Sequence, residues 1–501
     1  MISKNEAAIH NIFKPQNTAA SSEIDSDSIS LKDQPESQLA VADSASTLPI
    51  PADRDISTKY KSRLSWARPP IDFLVGPQML AAAEAGNTKR LISAFNYIRN
   101  IDFADDEKET ALHKAASKNF IDIVDLLLGN GASIEAKNRD RNTPLHLAAG
   151  CGHHGLVELL LDKGASVEAR NRYEHTPLHH AARFDHRSVV ELLLEKGASA
   201  EASDTENHTP LRYAALRGST SVVDLLLEKG VSIEAMDANK NTALHLAVRG
   251  GHTGTVELLV EKGASIEAMN TKNGTPLHLA TRNGSTGMVE LLLEKGASIE
   301  ARSIDNNTPL HLAIQYGYTG MMELLLEKGA SIEARNRDNN TPLHLAVQNG
   351  YRGRVELLFR KGASIEAMNE FNNTPLHLAA EYGHTDVVEL LVEKGASIEA
   401  TNTSQNTPLH RAAGYNRTRV VGLLLWNGAS AKALNKDRNT PLHLAAEYDC
   451  SSAVKLLLER GASLHARNKY GRTPLDLATK SDATRTFLLL KTKAAERSYM
   501  F

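Results

Sequence analysis

A threonine recurs at positions 110, 143, 176, 209, 242, 275, 308, 341, 374, 407, 440 and 473, and every step is 33 residues. A unit this short cannot bury an apolar face alone, so a repeat of this period describes a stack in which each copy covers the next. A glycine stands 12 residues before each threonine from Thr143 onward, running from Gly131 to Gly461. The octapeptide NNTPLHLA appears in full at 306–313, 339–346 and 372–379.

One period, 305–337, reads DNNTPLHLAIQYGYTGMMELLLEKGASIEARNR. Thr before Pro predicts a helix start, because the hydroxyl caps free N–H groups and Pro tolerates the first helical position. Leu and Ala at helical spacing give this first helix an apolar face, and alanine keeps it thin enough for a close neighbour. The second helix carries V/M-x-x-L-L-L, a stronger apolar face. Gly after Glu-Lys marks its stop, where positive φ is needed. The residues ASIEA and the polar stretch after them predict an extended loop or hairpin.

These motifs resemble the ankyrin repeat family. TPLHLAA…GH…VVELLLEKGA at 374–396 matches the family signature almost position by position. The resemblance implies an all-α ankyrin-repeat solenoid of stacked helix-turn-helix units with hairpin loops. It predicts a degenerate N-capping repeat at 74–103 and eleven repeats over 107–469, from 107–136 and 140–169 in steps of 33 to 437–466. A C-capping repeat and tail fill 470–501, where TPLH becomes TPLD and the closing Gly is lost. The capping copy at the other end is read from MLAAAEAGNTKRLISAF (79–95), which aligns with LHKAASKNFIDIVDLLL (112–128). Near-identical GASIEA arrays of this kind look like those of large fungal ankyrin repeat proteins.

Two positions depart from the family pattern. The usual Asp-x-Asn after Gly-Ala is Ser-x-Glu in most copies, so the asparagine hydroxylated in some members has no counterpart here. The turn glycine two residues before Thr survives only as Gly471. Asn, Lys, Arg or Glu must take the left-handed backbone elsewhere, at about 1 kcal/mol per site.

Residues 1–70 read differently. Nine acidic and four basic side chains in 1–55, with few large apolar ones, predict a disordered tail. It ends in the basic KYKSRLSWARPP (59–70), read as a linker and helix stop, with a docking, targeting or kinase site around Ser65 as the sharper alternative.

Over the whole chain 57 basic residues face 60 acidic ones, which leaves no global electrostatic argument for nucleic acid or an anionic membrane. The arginines are also interspersed with Glu, against bare nucleic-acid binding. The apolar run VVGLLLW (420–426) is too short to span a bilayer, and MISKNEAAIHNIFKP holds no signal-peptide core. Cys151 and Cys450 lie nine copies apart, beyond disulfide reach on a solenoid, and so few cysteines suit a reducing compartment. These readings predict a soluble cytoplasmic monomer without membrane insertion, with a nuclear location as the alternative.

Ten histidines fill the TPLH place: 113, 146, 179, 245, 278, 311, 344, 377, 410 and 443. Two zinc ligands lie within roughly 4 Å of each other, whereas stacked helices stand about 8–10 Å apart. The histidines are therefore expected to bond turn backbone and neighbouring copies rather than metal. Arg212 and Asp476 in the same place read as local tolerance of their loss. GCGHHG (150–155) fits a dinucleotide-binding pattern but follows a helix instead of a strand, so no cofactor is expected. The sequons NNT (306, 339, 372) and NHT (207) recur because the turn wants Asn and the helix wants Thr. No nucleophile–base or metal constellation appears, and the chain reads as non-enzymatic.

Function is sought where the copies differ. By the resemblance, partner-facing positions include the seventh and eighth residues after each Thr, on the concave face. The copies begun at 176 to 275 supply Arg183, Phe184, Arg217, Arg249 and Arg282 there, and later copies supply Tyr316, Tyr382, Tyr415 and Tyr448. Hairpin tips add Phe371. Arg and Tyr are enriched at binding hot spots. The expected groove is basic toward its N-terminal half and aromatic or acidic toward its C-terminal half, complementary to a protein segment of opposite pattern. The leading reading is a protein–protein interaction scaffold or adaptor. A regulatory inhibitor or co-regulator of a transcription factor or signalling enzyme is the second reading, and an accessory to an enzyme pathway the third.

Overall fold

Thr308 stands in extended backbone (φ −85°, ψ 167°), and the helix Pro309–Tyr316 begins at the next residue. Gly317, left-handed at φ 87°, stops that helix. The second helix Thr319–Glu327 follows, and Gly329 at φ 95° ends it. This unit recurs along a computed structural model that describes residues 71–498 apart from Asp482. The expectations for residues 1–70 lie outside the described residues. Twenty-six helices and no strand are formed among the described residues, with one isolated antiparallel bridge between Ala104 and Thr110.

The left-handed turn survives without glycine. Lys108, Arg141, Asn306, Asn339 and Gln405, each two residues before a Thr, sit at φ between 55° and 62°. The end copies are built differently from the inner ones. The helix Ile71–Glu84 runs back past residue 74, with Pro77 inside it. At the other end, the closing helix Thr484–Ser498 spans 15 residues where the inner second helices span nine.

One continuous core threads the stack. In the copy begun by Thr308 it takes Leu310, Ala313 and Ile314 from the first helix and Met321, Met322 and Leu325 from the second. First helices of successive copies pack on each other more extensively than second helices do. A two-layer stack that is tighter in one layer curves toward it, which places the first helices on the inner, concave side.

Polar ladders register the copies. Thr341 N–H and hydroxyl lie 3.2 and 2.8 Å from His344 Nδ1, and His344 Nε2 lies 3.0 Å from the carbonyl of Asn373 in the next copy. An amide only donates and a carbonyl only accepts, so the ring is neutral with its proton on Nε2. This is a capping box with histidine in the place usual for Glu or Gln. All ten histidines bond the carbonyl before the next Thr, as expected of backbone ties. Burial pushes the rings of His311, His344, His377 and His410 down to about 4.

Asparagine forms a second ladder. Asn369 Oδ1 accepts from Phe371 and Asn373 N–H, both at 3.0 Å, while its Nδ2 donates to Asn340 Oδ1 one copy back, at 3.0 Å. A third ladder gives the Ser-x-Glu departure its role: Glu333 Oε1 accepts Ser364 N–H at 2.7 Å, and the pattern runs from Glu135–Ser166 to Glu399–Ser430. Each glutamate thus clamps the following copy's loop.

The two substituted histidine places behave differently. Asp476 caps Thr473 within its own copy, accepting its N–H and hydroxyl at 2.8 Å each. Arg212 does not tolerate replacement so simply. It is 1% exposed, and none of its guanidinium nitrogens has a hydrogen-bond partner. The tie to the next copy is lost there.

Candidate functional site

The seventh and eighth residues after each Thr fall where the inner helices end, because Thr starts each helix and seven or eight residues complete it. Arg183, Arg217 and Arg282 are the last residues of Pro177–Arg183, Pro210–Arg217 and Pro276–Arg282, and Arg249 lies one residue before the end of Ala243–Gly250. Tyr316 and Tyr382 likewise end their helices, whereas Phe184, Tyr415 and Tyr448 are the capping residues that follow. The stack therefore sets nine of the ten predicted residues at two adjacent repeat positions along the inner layer. Phe371 is the exception: it stands on a hairpin tip, 60% exposed, apart from that strip.

The basic half is half-buried rather than freely projecting. Arg183 lies over the Phe184 ring, 5.5 Å from its centroid, while Phe184 stays 43% exposed. In the aromatic half Tyr316, Tyr382 and Tyr448 are exposed and Tyr415 is half-buried. Tyr382 is fixed from one copy back, where Gln348 Nε2 donates to its hydroxyl at 2.8 Å.

Arg411 organises this half. Its Nε donates to Glu381 Oε2 at 3.0 Å, its Nη2 pairs with the same carboxylate, and its guanidinium lies 5.3 Å from the Tyr415 ring centroid. Arg417 Nε donates to the Glu381 backbone carbonyl at 2.8 Å. Burial, with the Glu381 charge adding to it, pushes the Tyr415 hydroxyl up to about 12. Burial also raises Glu447. The C-terminal half is thus aromatic with a compensated carboxylate, less acidic than the residue types alone imply. Arg411 was missed, although its signal is legible: the fourth residue after Thr is Leu at 312, 345, 378 and 444 and breaks to Arg only here among these copies.

A second polar group lies further toward the N-terminus, and it too was missed. His175 Nε2 lies 2.9 Å from the Tyr213 hydroxyl, which donates to Asp204 Oδ2 at 2.8 Å. The His175 ring stands 5.6 Å from His179 and 5.9 Å from His180. The signal was the crowding of histidines in HTPLHH (175–180).

Among the described residues no three His, Cys, Asp or Glu side chains gather as metal ligands do. No described helix is long and apolar enough to cross a membrane. Both cysteines are free thiols; Cys450 is buried and donates to the Gly414 carbonyl at 3.3 Å.

No curated protein matches the chain. The family described as ankyrin repeats (3 copies) matches residues 78–171, 168–237, 229–303, 301–369, 343–434 and 410–496. With successive matches running through the helical stack from end to end, the chain belongs to the ankyrin repeat family.

Proposed function

We propose that the chain is a non-enzymatic scaffold that holds an extended protein segment along the inner strip. Ankyrin repeats are in general protein–protein interaction modules. The observation that carries the reading is an arginine at the seventh or eighth residue after Thr in four successive copies (Arg183, Arg217, Arg249 and Arg282), followed by Tyr382, Tyr415 and Tyr448 in register in three.

Stacked helices stand about 8–10 Å apart, and an extended chain advances about 3.3 Å per residue. One copy therefore spans about three ligand residues. The complementary partner carries acidic side chains at every third position over the arginine half and apolar or basic ones over the tyrosines. Tyr382, anchored by Gln348, and Tyr415, held beneath Arg411, lose little side-chain freedom on binding, which favours them as anchors. A cytoplasmic or nuclear monomer without a membrane or nucleic-acid partner belongs to this reading.

The test is to replace Tyr382, Tyr415 and Tyr448 together with Ala and repeat a pull-down from the native host. Loss of the recovered partner is expected. Recovery unchanged from the parent chain overturns the tyrosine half of the strip.

A further inference from the structure

Two hydrogen bonds recur wherever one copy meets the next. The histidine three residues after a Thr donates Nε2–H to the carbonyl just before the next Thr. The tip N–H four residues before a Thr donates to the tip carbonyl one copy back, as Arg337 N–H does to Asp305 at 2.8 Å. From the junction of the Thr110 and Thr143 copies to that of the Thr440 and Thr473 copies, both bonds form at every junction but one.

The exception lies between the copies begun by Thr209 and Thr242. Arg212 holds the histidine place and bonds nothing, and Ala238 N–H does not bond the Glu206 carbonyl. The asparagine tie is gone as well, since its two places are taken by Asp237 and His208. What stands there instead is a buried quartet of Asp204, His208, Arg212 and Asp237. His208 Nδ1 lies 3.5 Å from Asp204 Oδ2 and its Nε2 lies 3.7 Å from Asp237 Oδ2. Two cations and two anions balance, so the site needs no further ion. Both carboxylates accept hydrogen bonds within their own copies, but His208 Nδ1 and the Arg212 guanidinium have no hydrogen-bond partner, and charge attraction tolerates displacement that a short hydrogen bond does not.

The inner side of the same junction is intact. Helices Pro210–Arg217 and Ala243–Gly250 make the most extensive packing between successive first helices, and His252 Nε2 still lies 3.0 Å from the Leu216 carbonyl. Across the tips there remain the exposed Asn207 Nδ2 bond to the Met236 carbonyl at 3.3 Å and the Glu201–Ser232 clamp at 3.0 Å. A junction that has lost both buried tip ties but stays joined along the inner helices has the mechanics of a hinge.

We infer that this junction is the hinge of the solenoid, opening at tips 203–208 and 236–241 while the inner helices stay packed. Arg183 and Arg217 move with one block, Arg249 and Arg282 with the other. The angle between the two blocks is thereby adjustable. The inference holds whatever the strip binds.

Hydrogen exchange of the full chain, read by mass spectrometry, tests it. The hydrogen-bonded amides of 232–242 exchange on the order of tenfold faster than those of 331–341 and 364–374, which occupy the same register. The double variant Arg212→His with Asp237→Asn restores the missing donors and brings 232–242 back to the rate of its equivalents. Equal protection in the parent chain overturns the hinge, and so does a difference that the double variant leaves in place. Should that variant not fold, limited proteolysis of the parent chain decides: a first cut within 231–242 supports the hinge, and a first cut elsewhere in 107–469 overturns it.

Discussion

His344 and Asn373, 29 residues apart in sequence, are joined by a 3.0 Å hydrogen bond from the ring Nε2 to the backbone carbonyl. With Nδ1 taking Thr341 N–H at 3.2 Å, one side chain satisfies backbone groups in two copies. His344→Ala leaves the Thr341 N–H buried without a partner and takes one of two bonds from the Asn373 carbonyl, which still accepts Asn369 N–H at 3.1 Å, at about 1–3 kcal/mol in total. Urea unfolding of the full chain is expected to show that loss; a change under about 0.5 kcal/mol sinks the account of the ladder.

The same geometry sets a pH dependence. The rings of His311, His344, His377 and His410 sit at about 4 in the fold because burial disfavours their charge, against about 6.5 in the unfolded chain. The unfolded chain therefore binds more protons between these values. Their contribution is complete above about pH 6.5 and is lost as pH falls toward 4, by about 2 kcal/mol per ring between pH 7 and 5. Urea midpoints at pH 7 and 5 check this, and His344→Gln should flatten the slope. An unchanged midpoint contradicts it.

His208 has the opposite sign. Burial opposes its charge, but Asp204 and Asp237 outweigh it and raise the ring to about 9, with Glu206 on the same side and Arg212 opposing. Its contribution is present below about pH 6.5 and is lost as pH rises through 9. The amides of 232–242 are expected to lose protection in that window, after correction for intrinsic rates, and His208→Gln to abolish the effect. Protection that stays level through pH 9 in the parent chain would falsify this.

The glutamate ladder predicts a graded cost. Glu300, Glu333 and Glu366 each accept a serine N–H of the next copy at 2.7 Å, in exposed positions. Replacing all three with Ala should cost about 1.5–3 kcal/mol, since water takes over only part of each bond. The triple Gln variant keeps an acceptor and should lose less than half as much. Thermal unfolding separates the two; equal losses would assign the effect to charge instead.

Two left-handed glycines predict an ordering. Gly329 sits at φ 95° with open space where a Cβ would stand, so Gly329→Ala meets backbone strain alone, about 1–2 kcal/mol. Gly350 sits at φ 73°, and its Cβ would fall 2.4 Å from His384 Nδ1. His384 Nε2 is itself tied to the Gln348 carbonyl at 3.0 Å and cannot swing away without losing that bond. Gly350→Ala should therefore destabilise at least twice as much in urea, and a reversed order would count against the turn packing.

The period, the capping threonines and the stop glycines made the helix pairs legible from residues alone, because each is a local backbone preference. The histidines, too, were readable as joinery, since the copy spacing keeps them apart from one another. Other ties escaped that reading. Glu333 meets Ser364 at 31 residues' separation, and Arg411 meets Glu381 at 30. The period of 33 establishes which copies adjoin, but the rise and curvature of the stack select which atoms come within 3 Å. For the same reason the arginine and tyrosine columns could be listed from sequence, while the carboxylate compensated by Arg411 could not. Local chemistry alone determined the fold, the turns and the register of the strip. Stacking decided the rest: His344 finds a carbonyl in the next copy, whereas Arg212, in the same register, finds none and leaves the solenoid a place to bend.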